Sequence, residues 1–227
     1  MILQMTRPVQ GALRQVRKFE IGSNHLANVD TPGFKSDILS FDYLFKARLT
    51  HDLTQGPLRT TDNQLDFALN DEGFFKIQTP RGIRYTRNGN FMVNVDGALV
   101  TQQGDTVLDD GDAPIFINGD RVHVTEDGAV EVDGEIVGQL NVVTFTSLDQ
   151  LQKEGSSLYV YKGDPADEVA PPNVSIKQGA LEGSNGSVVV EMTNMIDYQR
   201  MFEAQQKMMR AFDETDSKVI NDVGRTL

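Results

Sequence analysis

A chain of 227 residues has room for one large domain or one compact domain with extensions, and 39% hydrophobic residues support a core that is lean for that length. Asp and Glu number 33 against 21 Lys and Arg, a net charge of -12 that argues against a nucleic-acid-binding face, and the absence of Cys excludes disulfides and thiolate metal sites. No stretch reaches the ~18 apolar residues of a membrane span. The start, MILQMTRPVQGALRQ, lacks a signal peptide's basic opening and apolar run. The expectation is a cytosolic chain, or one that leaves the cytosol by a route that reads no cleaved signal.

At the N-terminal end, Ile2, Met5, Val9, Ala12, Val16, Phe19, Ser23 and Leu26 recur three and four residues apart, all but Ser23 apolar. That spacing predicts a helix of about 20 residues with a heptad seam, beginning near Pro8. Asn28 and Asp30 then lead into Thr31-Pro32-Gly33, where Pro32 disfavours helical geometry at Thr31 and Gly33 permits a sharp change of direction before Phe34 and Lys35. Residues 36–64 read as an extended, irregular connection.

From about Leu65 the period changes to two. Phe74–Gln78, Phe91–Val95 and Val122–Thr125 alternate, and Asn88-Gly89, Asp96-Gly97, Asn118-Gly119, Asp127-Gly128 and Asp133-Gly134 supply hairpin turns. Residues 65–170 are predicted to form an all-β domain of short strands, and 171–186 a return connection. The last segment, 187–227, carries Met195, Tyr198, Phe202, Gln205, Met209, Phe212, Asp216, Val219 and Val223 at the same three-four spacing, with neither Pro nor Gly until its final residues. It predicts a helix of about 35 residues, capped from Ser184, Asn185 or Ser187. The fold class is therefore mixed α and β, with the two terminal helices pairing as a coiled-coil-like domain around an inserted β domain.

Candidate chemistry is sparse. His25, His51 and His123 have no partner at metal-ligand spacing and read as ordinary structural or surface residues. Asp109-Asp110-Gly111-Asp112 lacks the spacing of a calcium loop and reads as an acidic turn. No nucleophile elbow, phosphate loop or dinucleotide fingerprint is present, so no catalytic residue, cofactor, metal or small-molecule substrate is expected. Met192, Met195, Met201, Met208 and Met209 read as seam packing or an adaptable surface, and Arg7, Arg14, Arg17 and Lys18 as a solvated basic face.

Three separated segments, in order, resemble the bacterial flagellar basal-body rod and hook protein family. SNHLANVDTPGFK is similar to its N-terminal signature and GALEGSNGSVVVEMTNMIDYQRMFEAQQKMM to its C-terminal one, while QLDFALNDEGFFKIQTPRGIRYTRNGNFMVNVDGALVTQQGDTVL looks like the β domain of its rod members. Within the family the short 36–64 connection and single β domain look most like the proximal rod, with the distal rod as close competitor. The sequence departs from the family pattern at Gly22, His25 and Gly186.

The resemblance implies a structural axial subunit of the flagellar basal body. It would be exported unfolded by the flagellar export apparatus without a cleaved signal peptide, and polymerise in the periplasmic rod with copies of itself and other rod proteins. The implied assembly residues are Val9, Ala12, Val16, Phe19, Leu26, Asn28, Thr31, Pro32, Gly33, Phe34, Asn185, Met195, Tyr198, Phe202, Met209, Phe212, Val219 and Val223. Pro32-Gly33 is expected to set the chain's exit direction without affecting the β core, and Asp216 either to meet Arg14 or Arg17 of the same or a neighbouring subunit or to stay solvated. The competing class is a cell-envelope enzyme or carbohydrate-binding module, which predicts a polar pocket in the β domain; an export chaperone or adaptor is a third reading.

Overall fold

The computed structural model describes residues 2–41, 46–155 and 157–223, with side chains described within 8–41, 46–155 and 157–218. The chain divides into two compact units, Met1–Ala27 with Asp37–Thr50 and Gly186–Leu227, and Asn28–Ser36 with His51–Asn185.

The first unit holds two helices, α1 (Ile2–Ala27) and α2 (Val188–Val223), and most of a two-stranded sheet of Asp37–Phe41 and Ala47–His51. Helix α1 starts before Pro8, not at it; a proline in the second turn forgoes one backbone hydrogen bond. The helices run antiparallel, because Gly11 lies against Gln205 and Gly22 against Met195 and Glu191.

This packing corrects the expected coiled coil. Among the described side chains of α1, Pro8, Gly11, Gln15, Lys18, Gly22 and His25 form a covered stripe one residue before the apolar seam, joined by Ala12 and Leu26 of the seam itself and by Arg14 and Ile21. Val9, Val16 and Phe19 of that seam stay 42%, 39% and 39% exposed, while among the described members of the three-four series Ala12 alone is buried. Gly11 and Gly22 are 11 residues apart, close to three full turns, so they fall on one stripe and let the backbone of α1 approach the side chains of α2. The contact is centred on Gly11 and Gly22 of α1, not on two interlocking apolar seams. On α2 the expected series is the less exposed stripe: Met195, Tyr198, Phe202, Gln205, Met209, Phe212 and Asp216 are all half-buried.

The second unit is all β. Its centre is Phe74–Thr79, which pairs antiparallel with Gly82–Thr86, Thr106–Val107 and Val142–Phe145 within a nine-stranded sheet, counted among the described residues. Covered on both faces, it is buried at Phe74, Phe75, Lys76, Ile77 and Thr79, which is why FFKIQT alternates poorly. Phe67, Phe75, Phe91, Leu99 and Val130 build the main core, and Phe74, Tyr85, Phe145 and Tyr159 a second aromatic cluster. Each such side chain contributes about 1.5–3 kcal/mol on burial. Val122–Val124, Ala129–Val132 and Glu135–Gln139 form a separate sheet. Its last hairpin turns at Asp133-Gly134, both at positive φ (51° and 93°), as the Asp-Gly pair predicts.

The connections are more regular than expected. Among the described residues, 36–64 contain three strands, the third being Leu58–Thr60, and the return segment contains Ile176–Gln178 and Ala180–Glu182. Leu58–Thr60 pairs with Ala180–Glu182, and Phe67–Leu69 with Ile176–Gln178. These strands are three residues long in the second unit, too short to show a period, and their partners lie more than 100 residues away in sequence.

Candidate functional site: an open helical face and a buried clasp

In the helical unit, Val16 and Phe19 of α1 and Tyr198 and Phe202 of α2 line an apolar groove of about 390 Å³, with Gln15, Glu20 and Gln199 at its sides. Lys18 reaches across to place its ammonium 5.5 Å from the centre of the Tyr198 ring, and the neighbouring carboxylates of Glu191 and Asp197 add to burial in pushing that phenol's pKa up. Leu13, Val189, Met192, Ile196 and Met201 add exposed apolar surface elsewhere on the helices. At the end of α1, His25 is buried: Nδ1 donates to Glu191 Oε1 (2.9 Å), and Nε2 accepts from the Asp37 backbone N–H (2.8 Å). His25 thus ties both helices to the small sheet, a structural role as expected. Leu26 is half-buried, and the side chains of Val219 and Val223 lie outside the described residues.

In the β unit the two signatures meet. Asn28 closes the helix exit by accepting the Thr31 N–H (3.1 Å). Gly33, at φ 67°, donates its N–H to Glu182 O (2.8 Å) and lies against the backbone of Arg87 and Asn88, where a Cβ would come within 2.4 Å of Asn88 N. Only glycine fits there. The expectation that the β core is independent of this turn is therefore corrected. Phe34 is fully buried, with the Lys153 ammonium 3.7 Å from its ring centre, while Lys153 also donates to Lys35 O (2.6 Å). Asn185 accepts the Ser36 N–H (2.8 Å) and donates to Asp52 O (2.9 Å).

Beneath this crossing lies a charged clasp that sequence reasoning missed. Lys35 Nζ donates to Glu182 Oε1 (2.5 Å) and Thr54 O (2.6 Å), and Arg87 Nη1 donates to Glu182 Oε2 (3.3 Å) and Asp71 O (2.9 Å). Lys35 and Glu182 are fully buried and Arg87 nearly so. Burial pushes the pKa of both cations down, further than Glu182 restores it. Breaking such a buried pair costs about 3–5 kcal/mol, because one partner is left charged and unanswered. A partial signal was available: Lys35 directly follows Phe34 in one signature and Glu182 directly follows Leu181 in the other. Arg87, in a loop, gave none.

Of the expected assembly residues, then, Val9, Val16, Phe19, Met195, Tyr198, Phe202, Met209 and Phe212 lie on the helices with surface to offer. Phe34 and Gly33 are used up inside the chain, and Thr31, Pro32 and Asn185 belong to the same crossing. A chain whose ends are locked together at a β unit and whose helices leave an apolar stripe open has the build of a structural subunit. Comparison with known proteins gives this class its family. Residues 68–132 match the flagellar hook protein FlgE/F/G D1 domain, and residues 177–222 match the flagellar basal body rod FlgEFG protein C-terminal region. The flagellar basal-body rod protein FlgF of Caulobacter vibrioides is 34% identical, over 92% of this chain and 93% of its own. The rod protein FlgG of Buchnera aphidicola is 31% identical over 87% and 90%, and FlgF of Salmonella typhimurium 31% over 87% and 89%. The chain belongs to the flagellar basal-body rod protein family, a family of structural rod subunits.

Proposed function

We propose that this chain is an axial subunit of the bacterial flagellar rod at its proximal end, and that it works by polymerising, without catalysis. The proximal position is favoured by FlgF of Caulobacter vibrioides, whose identity, 34%, exceeds that of the FlgG relatives. The observation that carries the reading is the apolar stripe of α1. Val9, Val16 and Phe19 keep helical spacing yet remain 39–42% exposed, so the periodicity serves a surface that this chain alone does not cover. Copies of the chain and other rod proteins would cover it, and a head-to-tail contact that does not close builds an open helical array. In this reading the chain reaches the periplasm through the flagellar export apparatus, and the clasp forms after export.

The test is Val16→Ser with Phe19→Ser. The purified variant should keep the wild-type unfolding midpoint of its β unit and fail to restore motility or rod assembly to a strain lacking the protein. Full motility with normal rods would overturn the reading.

A further inference from the structure

The clasp sets two buried cations on one buried carboxylate. Lys35 and Arg87 side chains are 0% and 4% exposed, and the one buried carboxylate between them is Glu182. Its Oε1 already accepts from Lys35 (2.5 Å) and from the Gly56 N–H (2.9 Å), which leaves Arg87 a single bond of 3.3 Å to Oε2. A guanidinium offers five N–H donors and pairs best with a carboxylate through two of them. Arg87 Nε has no hydrogen-bond partner among the described residues.

Arg87 also lines a surface cavity of about 260 Å³. Leu53, Phe74 and Leu148 give it apolar walls, Thr54 and Thr144 supply hydroxyls, and Glu72 stands among the lining residues. Small-molecule sites usually run to ~300–1,000 Å³, so this one suits a single side chain better than a metabolite. An apolar wall for a short stem and a partly answered guanidinium behind it match an aspartate or glutamate side chain.

We propose that the cavity is a carboxylate-binding subsite, filled in the assembled rod by an acidic side chain from a second copy of this chain. The proposal rests on the rod reading. Copies of the chain supply the group in excess, with 33 acidic residues against 21 basic. Glu72 is exposed and makes no hydrogen bond to Arg87 among the described residues; its carboxylate favours the charged guanidinium from a distance and opposes an entering anion. A free carboxylate therefore binds weakly, whereas a neighbour held in place by other contacts meets the cavity at high effective concentration.

The test uses the full chain in two arms. In the first, the side-chain Nε–H signal of Arg87 is followed by NMR while N-acetylglutamate N-methylamide or its glutamine analogue is added. A saturable shift in the millimolar range with the glutamate compound alone, strengthened about threefold or more in Glu72→Gln, is expected; no shift, or an equal response to glutamine, overturns the proposal. In the second, Leu148→Cys places the chain's one thiol at the cavity, and maleimide labelling is compared between monomer and isolated rods. Labelling at least tenfold slower in rods supports the second copy as occupant. A thiol in rods that labels as fast as in monomer overturns that occupant while the rod reading stands, and a variant absent from rods, like wild type tagged elsewhere, overturns the rod reading and this proposal with it.

Discussion

Gly33 sits at φ 67° with Asn88 N and Arg87 C at 2.4 and 2.5 Å from where a Cβ would be, so Gly33→Ala meets two penalties at once. The left-handed backbone disfavours any L side chain, and the contacting atoms belong to backbone that cannot swing aside. Strain and overpacking together should cost roughly 2–4 kcal/mol. Because Gly33 also donates to Glu182 O, the loss should propagate into the Lys35–Glu182–Arg87 clasp. Urea unfolding followed by tyrosine fluorescence should show a lower midpoint in Gly33→Ala, whereas a midpoint equal to wild type would mean that the signatures do not hold the β unit together. Pro32→Ala, at a half-buried position just before it, should move the midpoint far less.

Among the elements, the central strand Phe74–Thr79 carries a lysine into the sheet, where Lys76 Nζ meets Asp112 (2.8 Å) and Glu168 (2.7 Å) while Tyr85 OH donates to the other Glu168 oxygen (2.6 Å). Burial lowers the Lys76 pKa, but hydrogen bonds to Asp112 and Glu168 outweigh it and the net direction is upward. For Tyr85, burial, the Glu168 bond and the nearby carboxylates all push upward. Both groups therefore hold their protons longer folded than unfolded. Their contribution is complete below the ordinary tyrosine value of 10 and is lost as pH rises beyond it. Wild-type stability should fall between pH 10 and 11, and Tyr85→Phe should fall less steeply, by up to about 1.4 kcal/mol per pH unit. Parallel slopes for the two proteins in urea titrations across pH 8–11 would show that Tyr85 titrates normally. Elements differ in how well the sequence announces them. Strand Phe74–Thr79 and the Asp133-Gly134 hairpin were legible because turn chemistry and local apolar runs encode them. On α1 the periodicity was read correctly, but the face it marks is not the one packed on α2. Apolar spacing marks a face of α1 that stays exposed at Val9, Val16 and Phe19 in this chain, while the intrachain contact runs along Gly11 and Gly22, whose missing side chains leave no apolar signal. The clasp was hidden for a related reason: three charges from three distant segments find one another only once the fold exists.

Over the whole molecule, charge is unevenly shared between the helices: α1 carries four basic side chains against one acidic, and α2 seven acidic against four basic. Subunits stacked so that the α2 of one meets the α1 of the next would gain from that difference, modestly and in a salt-dependent way. Asp216 is where the effect can be isolated. With Gly11 against Gln205 and Gly22 against Met195, Arg14 and Arg17 lie opposite residues near 202 and 199, about 20–25 Å along α2 from Asp216. The same-subunit pairing considered from sequence is thus ruled out by register, which leaves a partner in a neighbouring subunit or a solvated carboxylate. A carboxylate in an apolar stripe costs stability but rewards only the alignment that supplies its partner. Asp216→Leu should therefore self-associate more readily in sedimentation, because the stripe is enlarged, and yet complement a rod-deficient strain less well, because wrong alignments are no longer penalised. Asp216→Asn, which keeps the shape and loses the charge, should fall between the two in complementation without added self-association. If Asp216→Leu instead complements fully and sediments like wild type, Asp216 is a solvated carboxylate and the choice of partner is made elsewhere on the helices.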